Sequence, residues 1–254
     1  MYIMFQTKVI TARADYLRWK NEQSKKAYQE RKSRPSLWPS DLFSCHRKAA
    51  YHILEEQHSI PFSDKSLAYM NGGNVIEDDT ADALDWYYEN CTQSFVLKND
   101  IWSGKADFVL NHLTKKVTII EHKATGENKF KEDKQLPKRQ HVGQIGLYGR
   151  LYQELYSIKP ELRLYYYGWG CEAEFDIDVK SKFVKVTGTI SNYMGKRFVS
   201  KTMRINLDSE ISTLESMYRT VLDGGELPKR LDKKYKGCEF MGKPSCVYYK
   251  SCWK

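Results

Sequence analysis

With 254 residues, 41% of them hydrophobic and 29% charged, the chain can bury a sizeable core and is too large to be a disulfide-stapled miniprotein. Every apolar run falls well short of the ~18 residues needed to cross a bilayer, and the apolar content is too high for a wholly disordered chain. Lys and Arg total 41 against 32 Asp and Glu, a formal charge of +9 whose field concentrates polyanions and makes nucleic acid the first partner to consider.

Met1 to Phe5 is apolar, but Gln6, Thr7 and Lys8 follow without a small-residue cleavage pattern, so no secretory signal and a reducing, cytoplasmic setting are expected. From Lys8 to Arg34 nine basic and three acidic residues form a helix-compatible stretch that ends at the Pro35 to Pro39 breaker. Ser40 is a good N-cap for a short buried helix reaching Tyr51, with Cys45 inside it. Asn71-Gly72-Gly73 reads as a break. An acidic amphipathic helix over Asn74 to Asn90 should follow, with Val75, Ile76, Ala83, Leu84 and Tyr87 available to the core. Strand-like runs come next at Ser94 to Lys98, Ile101 to Leu110 and Val117 to Lys123, an antiparallel meander. A helix over about Lys138 to Tyr156 carries Leu147, Leu151 and Leu155 along one stripe. Aromatic and β-branched enrichment predicts further strands over Leu162 to Trp169 and Cys171 to Val179. A last helix is expected over Asp208 to Leu222, before a basic tail holding three cysteines. These features divide the chain into a basic helical segment (1–38), a core (39–225) and a cysteine-rich terminal region (226–254).

The most informative stretch is Gly104-Lys105-Ala106-Asp107 followed by Ile120-Glu121-His122-Lys123. Alternation along a strand puts Glu121 and Lys123 on one face and the His122 side chain on the other. A hairpin centred near Thr114 leaves Asp107 and Glu121 seven residues to either side, so the two carboxylates can meet across the pair. Converging carboxylates repel unless a cation lies between them, and oxygen ligands of this kind suit Mg²⁺ or Mn²⁺. A lysine two residues on can orient a water or stabilise charge developing on a phosphate. An exposed hairpin with a weak Glu121–Lys123 surface pair is the bland alternative.

Gly104-x-x-Asp107 and Glu121-x-Lys123 resemble motifs II and III of the PD-(D/E)xK nuclease superfamily. Gln144-Ile145-Gly146-Leu147-Tyr148 looks like the QxxxY helix of its RecB-like branch, and Gly73-x-x-x-Glu77 looks like that branch's first motif. The resemblance implies an α/β restriction-endonuclease-like core, a mixed central sheet flanked by helices. It implies Glu77, Asp107 and Glu121 as metal ligands, with the His122 backbone carbonyl beside them, and Lys123 as the catalytic amine. Gln144 and Tyr148, at i and i+4 on one helix face, would contact substrate; Gln140, one turn further along that face, is a secondary candidate. A core Tyr with a Gln at its rim is the structural alternative.

Cys45, Cys238, Cys246 and Cys252 make four soft ligands, suited to Zn²⁺ or an iron–sulfur cluster. One cysteine before the nuclease motifs and three after them resembles the iron–sulfur RecB-like nucleases, which include CRISPR-associated exonucleases and AddB-type nuclease domains. In those families a 4Fe-4S cluster staples the termini as a cap. The gap between Cys238 and Cys246 is seven residues here, against five between Cys246 and Cys252. Cys91 and Cys171 fit no ligand spacing and read as buried small hydrophobes. The implied activity is metal-dependent DNA hydrolysis, exonucleolytic on single strands or DNA ends. The alternatives are a structure-specific endonuclease and a catalytically silent DNA-binding or assembly module.

Overall fold

A computed structural model describes residues 15–23, 35–54, 64–131 and 136–229, with 239–240, 243–244, 246, 248 and 252. The chain divides into two compact units, one of Ser36–Leu54 with Ile76–Lys229, the other of Met1–Pro35, Glu55–Val75 and Arg230–Lys254. In the latter, residues 15–23 are helical, and the Arg18 guanidinium is held by Asp64 at 2.6 and 2.9 Å and by Asp15 at 2.9 Å. These pairs are exposed to solvent, which screens them and leaves them little weight in the stability of the fold. Residues 1–14 and 24–34 of the expected basic segment lie outside the described residues, as does Cys238.

The larger unit is mixed α/β. Seven strands form one sheet in sequence order: β1 (Cys91–Lys98), β2 (Ser103–Leu110), β3 (Thr118–Ala124), β4 (Glu161–Gly168), β5 (Cys171–Val179), β6 (Val184–Asn192) and β7 (Gly195–Met203). All neighbours are antiparallel except β3 and β4. Parallel neighbours need a crossover, supplied by helix α3 (Arg139–Tyr156); α1 (His46–Ile53), α4 (Leu207–Leu222) and, from Ile76 on, α2 (Asp64–Tyr87) are the other α-helices described in this unit. The main core lies between the sheet and α3, where Ile119, Leu164, Tyr166 and Phe175 meet Ile145, Tyr148, Leu151 and Tyr152. A smaller cluster of Ala81, Phe108, Leu110 and Ile120 joins α2 to β2 and β3. No helix among the described residues is long and apolar enough to cross a membrane.

Several sequence expectations change. The helix expected to begin at Asn74 runs through Asn71-Gly72-Gly73 from Asp64. Neither glycine takes a left-handed φ, and glycine in helical conformation costs only about 1 kcal/mol relative to alanine. Against the sheet it buries Ala81, with Leu84 half-buried and Tyr88 packing just past its end, whereas Val75 and Tyr87 are exposed. On α3, Leu147 and Leu151 are buried but Leu155 is not. The helix expected from Ser40 is a 3₁₀ turn at Pro39–Asp41 followed by α1. Strand β2 starts at Ser103 because the Asn99 side chain, accepting from the Ile101 and Trp102 N–H groups at 3.0 and 2.8 Å, holds the preceding residues in a turn. Strands β6 and β7 were not foreseen at all, although Val184, Val186 and Ile190 alternate with polar residues and are buried.

Candidate active site

Strand β3 centres the site. Its ladder with β2 contains Leu110↔Thr118, Val109↔Ile119 and Phe108↔Ile120, a register symmetric about position 114, and one further step would set Asp107 opposite Glu121. The ladder stops short of that step, although β2 continues to Ser103 and β3 to Ala124. Where the strands part, the His122 backbone N–H donates instead to Asp107 Oδ2 at 2.7 Å. A side-chain oxygen thereby satisfies an amide that the ladder has left unpaired. On its other edge β3 stays paired with β4 through Glu121↔Leu164, His122↔Tyr165 and Lys123↔Tyr166.

Glu121 is 1% exposed, its Oε1 paired with Lys123 Nζ. Its Oε2 is buried with no hydrogen-bond partner. Burial, reinforced by the charges of Asp107 and Glu77, pushes the Glu121 carboxyl up to about 8 against the pull of Lys123. Asp107 is also raised, by burial outweighing Lys123, the His122 N–H and Lys105. Glu77, half-buried on α2 one turn before Ala81, is raised by burial and then by Asp107, with Lys123 and Lys105 opposing. Burial works to lower Lys123, but the Glu121, Asp107 and Glu77 carboxylates outweigh it and keep the amine charged. The four groups drawn from α2, β2 and β3 thus form one electrostatically coupled cluster. Among the described residues no three His, Cys, Asp or Glu side chains stand ready-made as a metal cage.

The site residues supplied by α3 are differently placed. Tyr148 is 3% exposed, and its hydroxyl donates to the Lys105 carbonyl at 2.8 Å while Gln144 Nε2 donates to that hydroxyl at 3.4 Å. The phenol expected to meet substrate is committed to strand β2, two residues from Asp107. Gln144 stays half-buried at the rim. Gln140 Nε2 donates to the Ser40 carbonyl at 2.7 Å, fastening α3 to the turn before α1. Gly104 is explained by the same packing. A Cβ there would fall 2.7 Å from Pro39 Cδ and 3.0 Å from the Tyr148 ring, so only glycine lets β2 lie this close to both.

Lys105, Lys138 and Tyr166 complete the surroundings of the cluster. Lys105 precedes Asp107 by two, so simple alternation already placed the two on one face. Lys138 is the N-cap residue of α3, and its pKa is lowered by burial and then by the neighbouring charges of Lys129 and Lys123. Tyr166, wholly buried, pairs through its hydroxyl with His141 Nδ1 at 2.8 Å and accepts the Lys138 N–H at 3.2 Å. His141 is driven down to about 3, by burial and then Lys123 and Lys138, and His122 to about 4, by burial and then Lys123. Both are neutral at pH 7. The His122 ring stacks on Tyr165 with centroids 5.4 Å apart, on the α2 side of the sheet.

Cys45 is the half-buried N-cap of α1, and Cys246 and Cys252 are likewise half-buried. Cys171 is 2% exposed, the small core hydrophobe expected, whereas Cys91, expected to be buried too, is only half-buried at the start of β1.

The crystal structure of a protein named SSO0001 aligns with this chain at a TM-score of 0.50 and 13% identity, covering 94% of this chain and 95% of that one. At that identity the likeness concerns the fold alone. No protein-family model and no curated protein matches the chain.

Proposed function

We propose that this protein is a divalent-metal-dependent deoxyribonuclease with a restriction-endonuclease-like core, a RecB-like PD-(D/E)xK enzyme of the iron–sulfur branch acting on single-stranded DNA or DNA ends. The observation that carries this reading is Glu121. Its buried, unbonded Oε2 sits in a cluster where Asp107 and Glu77 raise its pKa. A buried carboxylate with an empty lone pair and acidic neighbours is costly without a cation, so the donor set fits a hard divalent ion. Glu77, Asp107, Glu121 and the His122 carbonyl would hold Mg²⁺ or Mn²⁺. Bound there, the ion supplies Lewis acidity at the phosphate and lowers the pKa of a coordinated water.

The chain's own residues do the rest. Glu121 fixes the Lys123 ammonium, which steers the attacking water and stabilises negative charge on the phosphate oxygens. Tyr148 holds β2 through the Lys105 carbonyl and so sets the position of Asp107. Lys105 and Lys138 supply positive charge for the flanking phosphates. Gln144 is the α3 residue left to meet substrate. A 4Fe-4S cluster, or zinc in its place, held by Cys45, Cys238, Cys246 and Cys252 belongs to the same reading. The order of these cysteines along the chain, one before the nuclease-like motifs and three after them, is what supports it, and the cluster would serve as a cap rather than take part in the cut.

The test is cleavage of a labelled single strand with Mg²⁺ or Mn²⁺, by the wild type and by Asp107→Asn. Metal-dependent cutting that the substitution abolishes is expected. Tight binding with no cutting in either metal would leave a DNA-binding module. A circular single strand separates the modes, since an end-dependent enzyme spares it and an endonuclease opens it.

A further inference from the structure

The end of the sheet beyond Lys123 carries two exposed aromatic tips that the proposed chemistry does not use. Trp169 heads the β4–β5 turn at 88% exposure, and Tyr193 and Met194 head the β6–β7 turn at 67% each. The parallel register Lys123↔Tyr166 and Ala124↔Tyr167 places Trp169 three residues past the level of Lys123, about 10 Å along the strand direction. The antiparallel pairs Glu172↔Ser191 and Asn192↔Gly195 bring the Tyr193 turn to the same end, two strand spacings or about 10 Å to the side.

The loop leaving the catalytic strand is fastened to both tips. The Thr125 N–H donates to the Tyr167 carbonyl at 2.8 Å. A Cβ on Gly168 would fall 2.5 Å from the Phe130 ring and 2.8 Å from the Thr125 carbonyl, so that glycine lets the loop close down on the base of the Trp169 turn. The Phe130 carbonyl accepts from Arg197 Nη2 at 2.7 Å and Asn192 Nδ2 at 3.3 Å, and Lys131 Nζ stands 5.8 Å from the centre of the Tyr193 ring. Lys129, Lys131 and Lys196 are exposed around the tips.

Isolated exposed aromatics are ordinary on a protein surface. Here they stand on hairpin turns tied to the catalytic strand and are interleaved with amines, the combination that takes up an unpaired polynucleotide by stacking bases on aromatic faces and matching phosphates with cations. A duplex keeps its base faces covered and offers these side chains only phosphates. We infer that Trp169 and Tyr193 form a stacking platform for an unpaired nucleic-acid strand, set beside the candidate metal site at the same end of the sheet. This rests on the nuclease reading for its purpose, but not for its test.

Binding is measured in EDTA, where no cutting is needed, with labelled dT20, rU20 and a 20-base-pair duplex. Both residues lie in exposed turns, so their substitution spares the core. Quenching of tryptophan emission by dT20 or rU20 is expected. Trp169→Ala and Tyr193→Ala should each weaken single-strand binding by about 5- to 150-fold, as a lost base stack does, and leave duplex binding within about twofold. Trp169→Phe should restore most of the affinity yet remove the share of the quench that Trp169 contributes among the six tryptophans, which separates stacking from a general surface effect. Single-strand affinity unchanged in Trp169→Ala and Tyr193→Ala, or a wild type that binds only the duplex, would overturn the platform. Binding that depends on Trp169 in a protein that cuts nothing with Mg²⁺ or Mn²⁺ would leave the platform standing and sink the nuclease. Cutting with Trp169-independent binding does the reverse.

Discussion

Replacing Tyr148 with Phe tests whether the α3 phenol acts on the strand or on the substrate. The ring stays, so no cavity opens in a core where this side chain is 3% exposed. Only the hydroxyl goes, and with it the 2.8 Å bond to the Lys105 carbonyl and the 3.4 Å bond from Gln144. Losing this part-buried hydrogen bond costs about 0.5–1.5 kcal/mol, which at roughly 2–4 °C per kcal/mol for a domain of this size lowers Tm by about 1–6 °C. Lys105 is two residues from Asp107, so the loosened strand also misplaces a carboxylate that must sit within a fraction of an ångström of its productive position. A drop in kcat of about 10- to 100-fold is expected. Affinity for dT20 in EDTA should stay within about twofold. Thermal melts, single-turnover cleavage and anisotropy titrations supply the three readings. An unchanged Tm with dT20 binding weakened tenfold would make the phenol a substrate contact and refute the positioning role.

His141 must stay neutral in the fold, its pKa depressed to about 3 by burial and then by Lys123 and Lys138, against about 6.5 unfolded. Its contribution is therefore whole above pH 6.5 and is lost as pH falls, so in urea melts the stability gap between the wild type and His141→Gln should narrow by about 2 kcal/mol from pH 7 to pH 5; a constant gap would mean that His141 is not held neutral. Gly104→Ala forces a Cβ to 2.7 Å from Pro39, and overpacking of this kind should destabilise by about 1–3 kcal/mol in the same melts. Lys138→Ala should weaken dT20 binding and reduce the slope of log K against log salt by about 0.7, the value for one single-strand phosphate contact. Cys45→Ala, purified anaerobically, should lose bound iron and visible iron–thiolate absorption; full iron retention would remove Cys45 from the cluster.

The hairpin was legible because both of its signals are local and of period two. Alternation fixes the faces, and the symmetry of Asp107 and Glu121 about Thr114 anticipates the observed Phe108↔Ile120 register. The phase of α2 was not legible. Val75, Ile76 and Ala83 are as apolar as the residues that pack, and the choice is made by β2 and β3, which offer Phe108, Leu110 and Ile120 to the Ala81 face. Turning α2 that way carries Glu77, four residues before Ala81, toward Asp107 and Lys123. The commitment of Tyr148 and Gln140 was equally hidden, because Lys105 and Ser40 receive them through backbone carbonyls, which every residue type possesses. Lys105 is different, because the alternation that sets Lys123 on the Glu121 face also sets Lys105 on the Asp107 face.

The parting of β2 and β3 also decides which substitution gives a clean reading of the chemistry. Beyond Phe108↔Ile120 the ladder no longer serves the His122 N–H, and Asp107 Oδ2 accepts it at 2.7 Å. Asp107 therefore has a structural duty independent of any cation. Alanine at 107 removes charge and acceptor together and leaves a buried amide unsatisfied, a cost of about 1–3 kcal/mol that would depress activity even if the carboxylate played no chemical part. Asparagine keeps an oxygen for the His122 N–H while removing the charge. It also lightens the crowding felt by Glu121 and Glu77, both of which Asp107 raises. Asp107→Asn should thus melt at or above the wild type in EDTA, lose the wild-type stabilisation by Mn²⁺, and cut nothing, whereas Asp107→Ala should melt below both. Were the asparagine variant to cut at the wild-type rate, the charge at 107 would be dispensable, and Asp107 would remain only the acceptor that seals an open strand edge.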